Sequence, residues 1–269
     1  MMERSYLFVP GNRPERFDKA YGAGAHAVIV DLEDAVAPTD KAMAREAARA
    51  WLTAAKPVWL RINGPESEWF ASDLDLVGLA GVKGVMLPKA EDTKAIAEIR
   101  GRVGAGARII PLIESALGLW RAEAIACAQG VERLAFGSVD FQLDTGIAGE
   151  HEELLFARSQ LVLVSRVAGC LAPVDGVTVA LDDEAVLRED VARARRLGFG
   201  AKLCIHPKQV AGVNAGFRAP DADLMWARRV LEAADAAANN AVRLDGKLID
   251  RPIIDRARAI LAIVEGPRS

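Results

Sequence analysis

The chain has 269 residues and 51% of them are hydrophobic, which is enough to bury a large core as one domain or as one domain with an appendage. With 34 basic and 37 acidic residues its formal net charge is -3, which argues against a basic nucleic-acid or membrane footprint. Because no apolar run approaches about 18 residues and no signal peptide precedes the first one, we expect a cytoplasmic protein without membrane spans. Three widely separated cysteines predict buried free thiols rather than a disulfide framework.

Short apolar runs alternate with helical patterns eight times in the first part of the chain. The runs, in chain order, are YLFVP, AVIVDLED, PVWLRIN, GVMLPK, RIIPLIE, RLAFGSVDF, PVDGVTV and AKLCIHP. Continuous apolar strands are typical of a parallel sheet that is buried on both faces. Eight such units predict an α/β fold, the (β/α)8 TIM barrel, whose typical size is about 250 residues. A doubly wound open sheet is the alternative, but no glycine-rich dinucleotide loop follows the first strand.

The last part of the sequence does not continue this repeat. DADLMWARRVLEAADAAANN predicts an amphipathic helix, and AVRLDGKLID predicts a hairpin with Asp245 and Gly246 at its turn. A final helix is expected to begin near Pro252. We therefore divide the chain into a barrel domain over 1–219 and a C-terminal helix, hairpin and helix extension over 220–269.

Polar side chains stand at the C-terminal ends of the predicted strands. In a barrel these ends meet at one mouth, which is where active sites form. Clustered carboxylates repel one another unless a cation or a proton joins them. The acidic set is Asp31, Glu33, Asp34, Glu114, Asp140 and, as a further member, Asp175.

The residue types at the mouth favour a hard metal ion. With only three histidines in the chain, the donors are oxygens, which suit Mg²⁺ and also Mn²⁺. Because Mg²⁺ usually takes one or two carboxylates and keeps open positions for substrate, the best pair is Glu114 with Asp140, which end consecutive predicted strands.

Two cations follow strands three and four. Arg61 either grips a substrate carboxylate or oxyanion, or forms a salt bridge with a rim acid such as Glu33 or Asp34. Lys89 either faces the mouth or pairs with a nearby acid such as Glu91.

Taken together, these motifs resemble a known family. The resemblance rests on SYLFVPGNRPERFDKA, VIVDLEDAVAP.DK, LRIN, GVMLPK, IIPLIESALGL and LAFGSVDF, in this order. They are similar to the citrate lyase beta subunit and its stand-alone relatives in the HpcH/HpaI aldolase and citrate lyase superfamily, with the malyl-CoA and citramalyl-CoA lyases. The resemblance spans nearly the whole chain. It implies a (β/α)8 barrel that uses Mg²⁺ for reversible Claisen-type cleavage of a 3-hydroxyacyl-CoA thioester.

The resemblance also implies roles for individual residues at the mouth. Glu114 and Asp140 match the Mg²⁺ ligands of the family. Glu33 and Asp34 match groups that orient water molecules on the metal, with capping of a helix N-terminus as the alternative. Arg61 matches the residue that faces the substrate carbonyl and carboxylate.

Four further residues are implied by the resemblance in the same way. Asn12, Arg13 and Lys19 lie in the stretch that resembles the coenzyme A entry. Asp245 resembles an aspartate that reaches into a neighbouring subunit as acid or base, although Asp-Gly is also an ordinary type I′ turn. We therefore expect the extension to pack on a neighbouring subunit of a homo-oligomer, a trimer or a hexamer. Its presence favours a self-sufficient enzyme.

The expected activity is cleavage of a short 3-hydroxy dicarboxylyl-CoA to acetyl-CoA and a 2-oxo acid. Citramalyl-CoA, malyl-CoA and citryl-CoA are the expected substrates, in that order. One alternative is the beta subunit of a multi-subunit citrate lyase that acts on a carrier-bound thioester. Another is a non-catalytic coenzyme A-binding or assembly protein. A further alternative is thioesterase activity, in which water attacks the same activated carbonyl. The expected partner is thus a small-molecule CoA thioester.

Overall fold

The structure is a computed structural model that describes residues 2–236 and 242–265. The chain separates into two compact units. The first is Glu3–Phe217, and the second begins at Arg218. No helix within the described residues is long and apolar enough to cross a membrane. The cysteines are free, as predicted, but only Cys204 is fully buried, whereas Cys170 is partly buried and Cys127 is exposed.

Eight parallel strands close into a barrel in the first unit, in the order in which they occur along the chain. The last strand pairs with the first, so the sheet has no open edge. This confirms the predicted (β/α)8 barrel. The strands are β1 (Ser5–Pro10), β2 (Ala27–Asp31), β3 (Val58–Arg61), β4 (Val82–Leu87), β5 (Ile109–Ile113), β6 (Ala135–Phe136), β7 (Val174–Asp175) and β8 (Ala201–Cys204).

Helices follow the strands, and several are shorter than the sequence pattern suggests. The helix predicted after the third strand has only 4 residues, and the one after the fifth strand is interrupted at Arg121. The helices are α1 (Phe17–Tyr21), α2 (Lys41–Trp51), α3 (Phe70–Asp73), α4 (Lys94–Val103), α5 (Ala116–Trp120), α6 (Ala122–Ala126), α7 (Ser138–Thr145), α8 (Leu155–Val167), α9 (Glu184–Leu197) and α10 (Pro207–Gly216).

Alternation along the strands decides which side chains enter the barrel. Successive residues point to opposite faces, so every second residue packs inside and the others pack beneath the helices. The next inward positions at the ends of β2, β3 and β5 are Asp31, Arg61 and Glu114. The interior cluster below them is Tyr6, Ala27, Ile29, Trp59, Met86, Ile110, Leu112, Ala135, Val174, Ala201 and Leu203.

The second unit has the predicted helix, hairpin and helix. These elements are α11 (Asp221–Ala236), β9 (Val242–Leu244), β10 (Lys247–Ile249) and α12 (Arg251–Glu265). Asp245 has φ 51° and Gly246 has φ 76°, the left-handed backbone that a two-residue type I′ turn requires. The core of this unit is formed by Ala227, Val230, Ala234, Ile249, Ile254, Ala257 and Leu261.

Candidate active site

Arg61 is clamped against the acids that end strand β2. Its Nε and Nη2 donate to the two carboxylate oxygens of Asp31 at 2.7 and 2.6 Å. Asp31 and Arg61 are register partners on neighbouring strands, which brings the two side chains together. Nη1 lies 3.0 Å from Glu33 Oε2 and 3.4 Å from Asp34 Oδ2. The salt bridge considered from the sequence is therefore formed, and the guanidinium stays at the mouth.

Asp31 also shapes the loop after its strand. Its Oδ1 accepts the Glu33 N–H at 2.9 Å and its Oδ2 accepts the Ala35 N–H at 3.3 Å. This loop turns the Glu33 side chain into the mouth and leaves Asp34 half-exposed. Of the acids in the DLED motif, Asp31 thus has a structural role, while the other two border the mouth.

Glu114 is buried, with one satisfied and one unsatisfied oxygen. Oε1 accepts the Lys89 N–H at 2.7 Å, whereas Oε2 has no hydrogen-bond partner among the described residues. Burial raises the pKa of this carboxyl to about 8, and the charge of Asp140 also raises it. A cation beside Oε2 would supply the missing partner and favour the ionised form.

Asp140 lies in the first turn of α7 and not at a strand end, so its predicted position was wrong. Strand β6 is only 2 residues long, and the chain turns into a helix at Ser138. The helix dipole favours a carboxylate in that turn. Asp140 nevertheless borders the same two cavities as Glu114.

The pair meets the needs of Mg²⁺ rather than those of a metal held by many protein ligands. Within residues 2–236 and 242–265, no group of three or more His, Cys, Asp and Glu side chains is placed to hold a metal ion. Two carboxylates, one with an unpartnered buried oxygen, fit an ion that keeps positions for water and substrate oxygens.

Glu33 is held through both carboxylate oxygens. Lys89 Nζ donates to Oε1 at 3.1 Å, so this lysine pairs with Glu33 and not with Glu91. Oε2 accepts the Asp34 N–H at 3.1 Å and also contacts Arg61. Burial raises the pKa of Glu33 to about 7, although Arg61 opposes the shift.

Two cavities adjoin at these carboxylates. Asp34, Glu114 and Asp140 line both of them. The larger has a volume of about 1030 Å³ and runs over the segments that follow β2 to β6. The smaller has a volume of about 380 Å³. Apart from the mouth residues its walls are largely apolar, formed by Phe8, Pro10, Ala35, Leu112, Phe136, Val139, Val177, Leu203 and Ile205.

The predicted coenzyme A-entry residues lie away from both cavities. Asn12 donates to Asp40 at 2.9 Å, and Arg13 pairs with Glu15 at 2.6 Å. Lys19 is an exposed residue of α1. None of the three lines either cavity. Their assignment remains a prediction from the resemblance.

Asp245 belongs to the second unit. Its carboxylate accepts a hydrogen bond from Arg229 Nη2 at 2.7 Å, and both side chains are more than half exposed. The structure therefore brings together Glu33, Asp34, Arg61, Glu114 and Asp140. The role predicted for Asp245 stays a prediction.

Sequence reasoning missed a buried lysine beneath the Glu33 loop. Lys41 Nζ donates to the carbonyls of Leu32 and Glu33, both at 2.8 Å, and to Asn63 Oδ1 at 2.7 Å. Asn63 in turn donates to the Leu32 carbonyl and to Asp73. The available signal was that Lys41 and Asn63 both fall within the motifs that carry the resemblance.

A parallel barrel with paired carboxylates, a clamped arginine and two adjoining cavities at its mouth has the design of a metal-assisted enzyme site. Residues 4–207 match the family model of the HpcH/HpaI aldolase/citrate lyase family. The chain belongs to this family.

Similar proteins agree with that membership. A citrate lyase subunit beta-like protein of Deinococcus radiodurans is 35% identical, over 96% of each chain. The citrate lyase subunit beta of Escherichia coli K12 is 35% identical, over 97% of this chain and 93% of that one. The crystal structure of CitE from Mycobacterium tuberculosis in complex with magnesium, acetoacetate and coenzyme A is 32% identical, with a TM-score of 0.85 over 97% of each chain. These relatives support a lyase or CoA-binding role, and the magnesium in that structure agrees with the predicted cofactor.

Proposed function

We propose that the protein is a magnesium-dependent carbon-carbon lyase that cleaves a short 3-hydroxy dicarboxylyl-CoA to acetyl-CoA and a 2-oxo acid. The observation that carries this proposal is the unpartnered buried oxygen of Glu114, beside which Asp140 borders the same cavities. The two adjoining cavities suit a substrate of two parts, because its thioester arm and its acid end need separate spaces.

Glu114 and Asp140 would hold the Mg²⁺, with Mn²⁺ as the alternative ion. When bound there, the ion would supply Lewis acidity toward the substrate hydroxyl and its neighbouring carboxylate. Glu33 and Asp34 would orient water molecules around that site. Their positions suit this role, since both reach the mouth and Glu33 is fixed through both oxygens.

The reaction separates charge in a way that Arg61 can stabilise. The 3-hydroxyl loses its proton, the C2–C3 bond breaks, and the electron pair moves into a thioester enolate as the 2-oxo acid forms. Arg61 is fixed by Asp31 and lies 4.8 Å from the centre of the Phe8 ring. A fixed guanidinium is preorganised to stabilise negative charge on the enolate oxygen. Protonation of the enolate carbon then gives acetyl-CoA.

The lining of the smaller cavity supports an order among the three proposed substrates. Among the described residues that line it, the ionisable groups are four carboxylates and one cation, Arg61, so negative charge prevails. A second substrate carboxylate, as in citryl-CoA, would meet apolar walls and like charges there. The methyl group of citramalyl-CoA fits those walls, and the hydrogen of malyl-CoA leaves them uncovered. This supports the order citramalyl-CoA, malyl-CoA, citryl-CoA.

The proposal includes a homo-oligomer, a trimer or a hexamer. Helices α5, α7 and α8 expose large apolar side chains, and exposed apolar patches often mark interfaces. In the proposed assembly the barrel over 1–219 is catalytic, the extension over 220–269 packs on a neighbouring subunit, and Asp245 protonates the enolate there. Asn12, Arg13 and Lys19 would serve the entry of coenzyme A. The apolar set is Leu117, Trp120, Val139, Leu143, Phe156, Leu163 and Val167.

A carrier-dependent beta subunit is the second proposal, which the similarity to the Escherichia coli subunit favours. Such a subunit would process a thioester on a carrier protein and would be inactive on free CoA esters. A non-catalytic coenzyme A-binding protein would bind coenzyme A without any turnover, but such a protein has no physical need for the unpartnered Glu114 oxygen.

A mass-spectrometric panel tests these proposals. The protein is incubated with malyl-CoA, citramalyl-CoA or citryl-CoA, with Mg²⁺ or with EDTA, beside a Glu114→Ala control. Acetyl-CoA formed only with Mg²⁺ and only with Glu114 present supports the stand-alone lyase. No product from any ester contradicts it, and the same panel is then repeated with carrier-bound thioesters.

A further inference from the structure

Lys89 connects two acids at the mouth through two different groups. Its backbone N–H donates to Glu114 Oε1 at 2.7 Å. Its side-chain Nζ donates to Glu33 Oε1 at 3.1 Å. Glu114 and Glu33 follow different strands, so this one residue joins parts of the barrel that are 81 positions apart in sequence, from 33 to 114.

The backbone of Lys89 is held in an unusual conformation. Its φ of 49° lies in the left-handed region, which residues other than glycine rarely adopt. Within the described residues the other non-glycine example is Asp245, in its hairpin turn. Such a conformation persists where the surrounding contacts require it. Here it lets one residue direct its amide to Glu114 and its ammonium to Glu33.

The ammonium contributes to orientation more than to stability. The Lys89 side chain is 58% exposed while that of Glu33 is 6% exposed, so solvent screens the pair. What the ammonium does supply is a fixed donor for Glu33 Oε1, while Arg61 and the Asp34 amide hold Oε2. Without that donor the carboxylate can rotate about its last side-chain bond.

We infer that Lys89 is a positioning residue whose ammonium fixes the Glu33 carboxylate and whose amide fixes Glu114, which sets the two acids in a defined relation. The activity measurements below rest on the proposed function, whereas the structural measurement does not. The two groups of Lys89 separate cleanly in mutagenesis, because a side-chain substitution removes the ammonium and leaves the amide.

The test compares Lys89→Met, Lys89→Arg and Lys56→Met. Lys56 is the matched control, since it is a partly exposed lysine that pairs with Asp18 at 2.6 Å on the outside of the barrel. We expect Lys89→Met to lower kcat about 10- to 100-fold, as for other residues that orient groups around a metal. KM and the Kd for Mn²⁺, measured by electron paramagnetic resonance, should stay within about threefold because the amide on Glu114 remains. Lys89→Arg should restore most of kcat.

A double-mutant cycle with Glu33→Gln identifies the group through which Lys89 acts. If the ammonium works through Glu33, Lys89→Met has no further effect on kcat in the Glu33→Gln background. Additive effects, or a Lys89→Met enzyme equal to Lys56→Met, would overturn the inference.

Crystal structures of the wild type and Lys89→Met with Mn²⁺ give an answer that is independent of turnover. The expected change is a rotated or disordered Glu33 carboxylate, while Glu114 keeps its hydrogen bond to the amide of residue 89. An unmoved Glu33 would reject the positioning role. If the wild type cleaves no thioester but Glu33 rotates in the variant, the proposed function fails and the positioning role stands.

Discussion

A buried charged side chain lies at each end of the barrel, and the two differ in whether their polar atoms have hydrogen-bond partners. At the N-terminal end Arg133 is 1% exposed, and it donates to the Ala172 carbonyl at 2.8 Å and the Glu3 carbonyl at 3.1 Å. Tyr6 adds its hydroxyl to this network and donates to Glu3 at 2.8 Å. At the C-terminal end Glu114 is also buried but keeps one oxygen without a partner. The Arg133 guanidinium thus has partners for its donors, whereas the Glu114 carboxylate keeps an oxygen that a cation at the mouth can contact.

Glu114→Gln is expected to have the largest effect on function. It removes a negative charge from the proposed metal site while it preserves shape, so Mg²⁺-dependent turnover should fall about 1,000-fold or more. The free energy of unfolding without metal should stay equal or rise, because a neutral amide is less costly to bury than a charge. Urea unfolding and the thioester panel measure both quantities. A marked loss of stability with activity retained would reverse our interpretation of this end.

Arg133→Met tests the other end with the opposite expectation. It leaves carbonyl groups and the Tyr6 hydroxyl without their donor, so the free energy of unfolding should fall by about 3 kcal/mol. Turnover per folded molecule should stay unchanged, since the residue lies far below the mouth. Urea unfolding and active-site-normalised kinetics check this result. A selective loss of kcat would show that the N-terminal end of the barrel also contributes to catalysis.

Gly137→Ala tests whether the position of Glu114 Oε2 determines metal binding. A Cβ on Gly137 would stand 2.5 Å from Glu114 Oε2 and 2.6 Å from its Cβ, so the carboxylate must move. Metal affinity should fall about 10- to 100-fold, as when a group that orients a ligand is lost. The matched control is Gly101→Ala, where an added Cβ meets nothing within 4 Å. Mn²⁺ titration measures both variants, and equal affinities would show that Glu114 is not the ligand.

A smaller effect, a pH dependence of the free energy of unfolding, should arise from Glu114 at the C-terminal end of the barrel. Burial raises the pKa of Glu114 from 4.5 to about 8 in the folded protein. The associated stability is therefore fully present below about pH 4.5 and is lost as the pH rises through about 8. Metal-free protein should thus become less stable from pH 5 to 8, less so in Glu114→Gln, while Mg²⁺ affinity rises over the same range. Urea unfolding and calorimetric titration across this range check it, and a flat profile would contradict the assignment.

Much of the fold and part of the site could be predicted from the sequence. Alternation along buried strands places Asp31, Arg61 and Glu114 at the mouth, because a two-residue period leads inward from the apolar interior. The position of Asp140 could not be predicted, since GSVDF continues an apolar run and nothing in it marks the end of a 2-residue strand. The partners of Lys89 depend on which strands are neighbours, and that follows from closure of the barrel and not from local pattern.

Part of the lining of each cavity at the mouth comes from different strands, and this has an evolutionary consequence. Phe8, Val177, Leu203 and Ile205 line the smaller cavity from β1, β8 and the segments after β7 and β8. None of these strands or segments contributes to the larger cavity. Substitutions at these four residues therefore reshape the smaller cavity and leave the walls of the larger one intact. A lineage with this architecture can reshape the smaller cavity through these strands while it inherits the walls of the larger cavity unchanged.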